Sequence, residues 1–394
     1  MATENQSLWF VAGETSGDAR AAEVMSSLRE LAPELRFQGA GGPRMQALAA
    51  EPFDNWIAEA GVLGFWDVLK HYGYFRKKFR TMLEDIIRLR PKAVVLVDYP
   101  GFNLRLAKAL RARRYGGKVI QFISPQVWAW NRRRIPAMAR SLDLMLCVFP
   151  FEKPLYEASG LSTVFTGHPL LEALAREKSG VPRDPSLFAL LPGSRVREVK
   201  RIFPAMVEAA RRIQSVRPDI RFEAVAASEA QADRLYSMAQ GVPITISYGS
   251  AHDLMQRARA GLVCSGTATL EAAFFSLPHA IVYRVAWHTY EIGIRVIKGV
   301  NALGIINILN NYQLHPPADP RESAGFAPVI VREFIQHGAS PEALAEEGLR
   351  LLNDEEARSA LTDRLQALVA TLEAEGASHR AAQAILKNIR KDEL

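Results

Sequence analysis

Residues 93–97 read AVVLV, an unbroken apolar run of small, branched and β-branched side chains with nothing polar at alternate positions. A strand with one wet face alternates in polarity. A run like this fits a strand covered on both faces, as in a parallel sheet flanked by helices. Similar runs recur at 8–12, 119–123 and 144–149, and a helical period follows the first at 19–31. Parallel strands need long crossovers, so this alternation argues for a doubly wound α/β sheet. A second series begins near Ser186, with strands at 187–191, 222–226, 244–246 and 261–264. Its helices fall at 199–216, 230–239 and from about Thr267. Between the series lies GVPRDP (180–185), whose Gly and two Pro residues suit a linker. At 394 residues the chain is too long for one ordinary core. The expectation is two doubly wound, Rossmann-like α/β domains, 1–180 and 186–365, facing across a cleft. The Ala-, Glu- and Leu-rich stretch from Pro341 onward reads as helices, the last of them within 366–394.

No apolar run reaches about 18 residues, so no transmembrane helix is expected. The start, MATENQS, lacks the basic opening of a secretory signal, so the terminal KDEL is read as part of a charged helix. Two cysteines in apolar runs suggest a reducing cytoplasm and no disulfide scaffold. A net charge of +7 favours anionic partners: nucleic acid, phosphorylated small molecules or acidic headgroups.

Three strand–turn–helix junctions could hold an anion on exposed helix N–H groups. The first is VAGETSGD (11–18), where Ser16 and Gly17 could meet a phosphate or the polar side chains could merely cap the helix. The second is LPGSR (191–195). Gly193 permits close backbone approach, Ser194 offers a hydroxyl, and Arg195 supplies a bidentate cation; a plain turn is the alternative. The third is CSGTATLE (264–271), with Ser265, Gly266 and Thr267 at the turn. Glu271, one turn on, could accept two ribose hydroxyls or simply complement the helix dipole. Since the last two junctions share one half, a nucleoside-diphosphate donor belongs there and the acceptor belongs to the other half.

Asp98 ends the 93–97 run, where a carboxylate can act as a general base or cap its own turn. ISPQVWAW (123–130) places Trp128 and Trp130 before Arg132, Arg133 and Arg134, a pairing suited to a ligand with an apolar body and an anionic head. His168, in GHP (167–169), ends the first domain, either near the cleft or in a structural hydrogen bond; His252, His288 and His315 are scattered without metal spacing, and no Asp-x-Asp pair suits a metal-bound diphosphate. No metal and no cofactor are expected, with Arg195 and helix N-termini stabilising a leaving diphosphate instead. The stretch 62–79 mixes Phe65, Trp66, Leu69, Tyr72 and Phe75 with Lys70, Arg76, Lys77 and Lys78. It is either a helix in a bilayer interface or one packing its aromatic face on the sheet. Nucleic acid is disfavoured, because Gly73 interrupts the stretch and no binding motif accompanies it.

AGETSGD, GAGGPRM, VDYPGFN, ISPQVWAW, FPFEKPLY, GHPL, LLPGSR and SGTATLE occur in this order from about Phe10 to Glu271. Together they resemble the lipid-A-disaccharide synthases, a family of GT-B glycosyltransferases. The resemblance implies an inverting, metal-independent transfer from UDP-2,3-diacylglucosamine to 2,3-diacylglucosamine 1-phosphate. It implies Asp98 and Glu14 at the catalytic centre. It implies Gly193, Ser194, Arg195, Ser265, Gly266, Thr267 and Glu271 around UDP, which leaves Ser16, Gly17, Asn103, Trp128 and Arg132 for the acceptor. It also implies a cytoplasmic enzyme, peripheral on the inner face of the inner membrane and contacting an anionic surface through Phe65, Trp66, Leu69, Tyr72 and Phe75. C-terminal helices of the family can cross back to the first domain and can mediate a homodimer. After Glu271 the pattern departs. The family's Leu-Pro-Asn run reads IINIL (305–309), a Pro- and Asp-containing insertion follows at 310–328, and Pro-Glu-x-x-Gln becomes REFIQ (332–336). Asn307, Glu333 and Gln336 are carried over as UDP contacts. Another GT-B UDP-sugar enzyme and a non-catalytic lipid- or anion-binding homologue are the alternatives.

Overall fold

A computed structural model describes residues 6–57, 72–239, 241–296, 302–373 and 375–390. It contains two parallel sheets in two compact units, one running to Glu172 and resuming at Leu372, the other spanning Ala173–Thr371.

The first unit holds β1 (Ser7–Ala12), β2 (Arg36–Gly41), β3 (Phe53–Asn55), β4 (Ala93–Val97), β5 (Lys118–Phe122), β6 (Leu144–Cys147) and β7 (Thr163–Phe165). Their order is β3-β2-β1-β4-β5-β6-β7, and every pairing is parallel. β4 sits at the centre, with Val95 level with Phe10 on one side and Ile120 on the other. All five of its residues have zero solvent exposure, as its unalternated sequence requires. The last helix, Ala377–Arg390, packs against the helix Thr15–Leu31 of this unit. Its start is anchored where Ser378 donates from N and Oγ to the Glu172 carboxylate (3.0 and 2.8 Å).

The second unit holds β8 (Asp184–Leu191), β9 (Arg221–Ala226), β10 (Ile244–Tyr248), β11 (Ala258–Cys264), β12 (His279–Tyr283) and β13 (Glu333–Ile335). The order is β10-β9-β8-β11-β12-β13, again all parallel. No described helix is long and apolar enough to cross a membrane.

Several boundaries differ from the sequence reading for local reasons. The first helix begins at Thr15, not at residue 19, with Glu14 at its N-cap. β2 ends in Gly-Ala-Gly and reads as a turn, and β3, β7 and β13 are three residues each, too short for a period.

Candidate active site

In the first unit the strand order reverses between β1 and β4. Ligands of open parallel sheets sit beyond the carboxyl ends of the strands at such a reversal. Gly13 and Glu14 follow β1, with Glu14 at the N-cap of Thr15–Leu31. Asp98 and Tyr99 follow β4 and precede the helix Pro100–Ala112. The two motifs AGETSGD and VDYPGFN therefore end side by side.

Asp98 (φ 48°) and Tyr99 (φ 45°) are both left-handed. Such non-glycine residues cost on the order of 1–3 kcal/mol each and persist only where the surroundings enforce them. The surroundings here are specific. The Asp98 N–H donates to Phe122 O at 2.9 Å. The Asn103 amide donates to Val97 O (3.2 Å) and Asp98 O (2.8 Å), and the Gln121 amide also reaches Asp98 O (3.2 Å). The Tyr99 ring covers Gly13, where a Cβ would lie 2.3 Å from Cδ1. Trp56 meets Tyr99 edge-on, and its indole donates to Ala12 O at 2.7 Å. Burial, and after it the charge of Glu14, raises the Asp98 carboxyl above its ordinary pKa of 3.8. A half-buried carboxylate with a raised pKa is a better proton acceptor than an exposed one.

The second unit repeats this logic. Its strand order reverses between β8 and β11, and LLPGSR and SGTATLE follow those two strands. They meet in a cavity of about 460 Å³ lined by Gly193, Ser194, Arg195, Ser265, Gly266, Thr267 and Glu271. The helices Val196–Val216 and Thr267–Phe274 both begin there, so two sets of N-terminal N–H groups are available to an anion. Gly193 has φ +96°, and a Cβ would come within 3.0 Å of Cys264 Sγ; the Gln231 amide fixes its carbonyl at 3.0 Å. Arg195 extends into solvent beside Glu198 (3.0 Å).

Other expected contacts have different duties. Asn103 is fully buried and braces the Asp98 backbone, so it acts behind the site rather than on an acceptor. Trp128 is 1 % exposed, and its indole donates to the buried Glu152 carboxylate at 2.8 Å. The accessible ring of that segment is Trp130, 45 % exposed, with the Arg134 guanidinium 5.6 Å from its centre. Arg132 donates Nε to Trp128 O at 2.8 Å. Ser16 is exposed, but Gly17 is buried against Ala12 and Val97. Asp18 does not cap its own helix; its carboxylate accepts the N–H groups of Gly42, Arg44 and Met45 (3.0, 3.1 and 3.0 Å) and binds the GAGGPRM turn.

Asn307 and Glu333 form an internal brace, and Gln336 makes a separate tie. Asn307 is fully buried; its amide donates to Val331 O (2.8 Å) and Glu333 Oε1 (2.7 Å), and its oxygen accepts from the N–H groups of Ile330 and Val331 (2.9 and 3.1 Å). Glu333 accepts the N–H groups of Leu303 and Gly304, both at 2.9 Å. Gln336 ties to Val285, accepting its N–H at 2.9 Å.

Phe65, Trp66 and Leu69 lie outside the described residues, as does the side chain of Tyr72. Phe75 is half-buried, its ring against Trp56 (6.2 Å), and Phe79 meets Phe102 (5.4 Å). Phe75 and Phe79 thus pack within the first unit, while Arg76, Lys77 and Arg80 stay exposed.

The residues missed from sequence are Trp56, Gln121 and the YGSAH turn after β10. Gly249, Ser250 and His252 of that turn line the second-unit cavity. The signal was a fourth strand–turn–helix junction, hidden because its helix, His252–Arg257, is only six residues long.

Residues 8–388 match the lipid-A-disaccharide synthetase family. The chain is 35 % identical to the lipid-A-disaccharide synthase of Trichlorobacter lovleyi over 97 % of each protein. It is 36 % identical to that of Nitrosococcus oceani over 91 % of this chain and 90 % of the relative. Among solved structures, the UDP-GlcNAc 2-epimerase from Neisseria meningitidis bound to UDP-GlcNAc has a TM-score of 0.60 at 9 % identity, covering 97 % of this chain and 99 % of that one. The calicheamicin glycosyltransferase has a TM-score of 0.56 at 13 % identity, covering 99 % of both chains. At these identities the two structures share the GT-B fold and nothing more specific.

Proposed function

Because this chain belongs to the lipid-A-disaccharide synthase family of glycosyltransferases, we propose that it joins UDP-2,3-diacylglucosamine to 2,3-diacylglucosamine 1-phosphate. The products are UDP and the β-1′,6-linked disaccharide 1-phosphate. One observation carries the nucleotide half of this reading: two motifs about seventy residues apart converge on one cavity at the strand-order reversal of the second unit. Gly193, Gly266 and the two helix starts suit a diphosphate, Arg195 supplies a cation, and Glu271 suits the ribose.

In the first unit Asp98 takes the proton of the acceptor's 6-hydroxyl as that oxygen bonds to the anomeric carbon. The bond from that carbon to the β-phosphate oxygen breaks, UDP leaves, and the configuration inverts. Burial, and after it the charge of Glu14, keeps Asp98 basic. Positive charge and N–H groups at the diphosphate stabilise the leaving oxygen. Glu333, braced by Asn307, opens β13, and Gln336 follows that strand.

Both sugars carry acyl chains, so the enzyme works peripherally at a membrane surface. Exposed Arg76, Lys77 and Arg80 provide attraction to acidic headgroups. The test is UDP release in detergent with the donor alone and with the acylated sugar 1-phosphate, together with the mass of the product. Acceptor-dependent release with a disaccharide product is expected. Release that ignores the acceptor, or none at all while UDP binds, would point to another UDP-sugar enzyme of this fold.

A further inference from the structure

We propose that His252 is a positioning residue of the nucleotide cavity, an imidazole that steers the Glu271 carboxylate toward the two ribose hydroxyls of a nucleoside diphosphate. This rests on the reading that the cavity takes the UDP portion of the donor.

His252 and Glu271 line the same cavity from different elements, the turn after β10 and the helix Thr267–Phe274. Nε2 of His252 lies 3.8 Å from Glu271 Oε2, and Nδ1 lies 2.5 Å from Glu177 Oε2. The ring also rests on Phe275, 5.4 Å between centres. A separation of 3.8 Å is ion-pair distance, longer than a hydrogen bond. The imidazole therefore attracts the carboxylate without consuming its lone pairs, which stay free to accept two hydroxyl donors.

The imidazole is itself firmly held. Gln256 accepts from Ser179 N and Oγ (2.8 and 3.0 Å) and donates to Glu177 O (3.1 Å), pinning the segment that carries Glu177. Arg183 donates to Met255 O (2.9 Å), Gln256 O (3.1 Å), Ala258 O and Phe275 O (both 2.5 Å), fixing the end of the helix His252–Arg257. The charged groups facing the ring are Glu177 on the preceding segment and Glu271 on the cavity wall. On its own helix, Asp253 is engaged by Arg257 (2.7 Å), which also holds Glu223 (2.9 Å). Across the cavity Arg195 pairs with Glu198 (3.0 Å), and Lys178 lies over the Phe274 ring (4.8 Å). Carboxylates thus flank both ring nitrogens. Glu271 foremost, and then Glu177, hold the imidazole above its ordinary pKa of 6.5 against the opposing effect of burial.

The test is calorimetric titration of UDP and 2′-deoxy-UDP into wild type, His252→Gln, His252→Lys, Glu177→Gln and Glu271→Gln. Wild type is expected to prefer UDP, and Glu271→Gln to lose that preference. His252→Gln is expected to bring the affinity ratio toward one, a change of up to about tenfold. His252→Lys, which keeps the cation, is expected to restore the preference. In wild type the ratio falls as pH rises through the imidazole titration; the fall comes at lower pH in Glu177→Gln and is absent in His252→Gln. Equal weakening of both ligands in His252→Gln, with the ratio preserved, overturns the positioning role. A wild type that binds no UDP, or a Glu271→Gln variant with an unchanged ratio, overturns the nucleotide reading beneath it instead.

Discussion

Replacing Asn103 by alanine isolates the brace behind Asp98. Asn103 has zero exposure, so no solvent replaces what its amide supplies to Val97 O and Asp98 O. Two neutral hydrogen bonds contribute about 1 kcal/mol each, and a buried carbonyl left unpaired adds to the loss, so the first unit should lose about 2–3 kcal/mol. The functional loss should be larger in proportion. With only the Gln121 contact at 3.2 Å remaining on its carbonyl, the left-handed pair Asp98–Tyr99 can relax toward ordinary backbone angles. A displacement of about 1 Å at a reacting group costs on the order of 10²-fold in rate. Urea unfolding followed by tryptophan fluorescence reads the stability, since five of the six tryptophans precede residue 131. Acceptor-dependent UDP release reads the rate, and UDP titration should be unchanged because its cavity belongs to the second unit. A variant that stays within about 0.5 kcal/mol of wild type, or that is folded and fully active, would refute the brace.

Glu14→Gln removes the second cause of the raised Asp98 pKa. A base must be ionised, so a raised pKa places the acid limb of activity above that of an ordinary aspartate, and the substitution should move that limb to lower pH in a kcat/KM profile. Exchanging Arg76, Lys77 and Arg80 for glutamate should weaken sedimentation with acidic vesicles while UDP release from detergent-dispersed substrates persists. Wild-type vesicle binding should also fall as salt rises.

The sheets were the most legible part of the sequence, because a strand buried on both faces writes an unbroken apolar run, as 93–97 does. The turns that line the second-unit cavity were legible for a related reason: glycine next to Ser, Thr or Arg marks the passage from a strand to a helix. Site residues that work through burial were harder. Trp128 and Asn103 sit in motifs that look ligand-facing, yet each side chain turns inward to satisfy another buried group, Glu152 for one and the Asp98 carbonyl for the other. Which way such a side chain turns depends on packing from distant segments, which periodicity does not encode. His252 failed for the opposite reason: its importance lies in Glu177 and Glu271, 75 and 19 residues away, and spacing alone relates none of them.

We propose that a carboxylate in the first unit activates the acceptor for transfer from a nucleotide held in the second. Asp98→Asn tests it most directly, because the substitution is nearly isosteric and removes only the proton-accepting charge. UDP affinity equal to wild type is expected, with acceptor-dependent UDP release reduced by about 10²-fold or more. Release at the wild-type rate from a variant that binds UDP normally would contradict it.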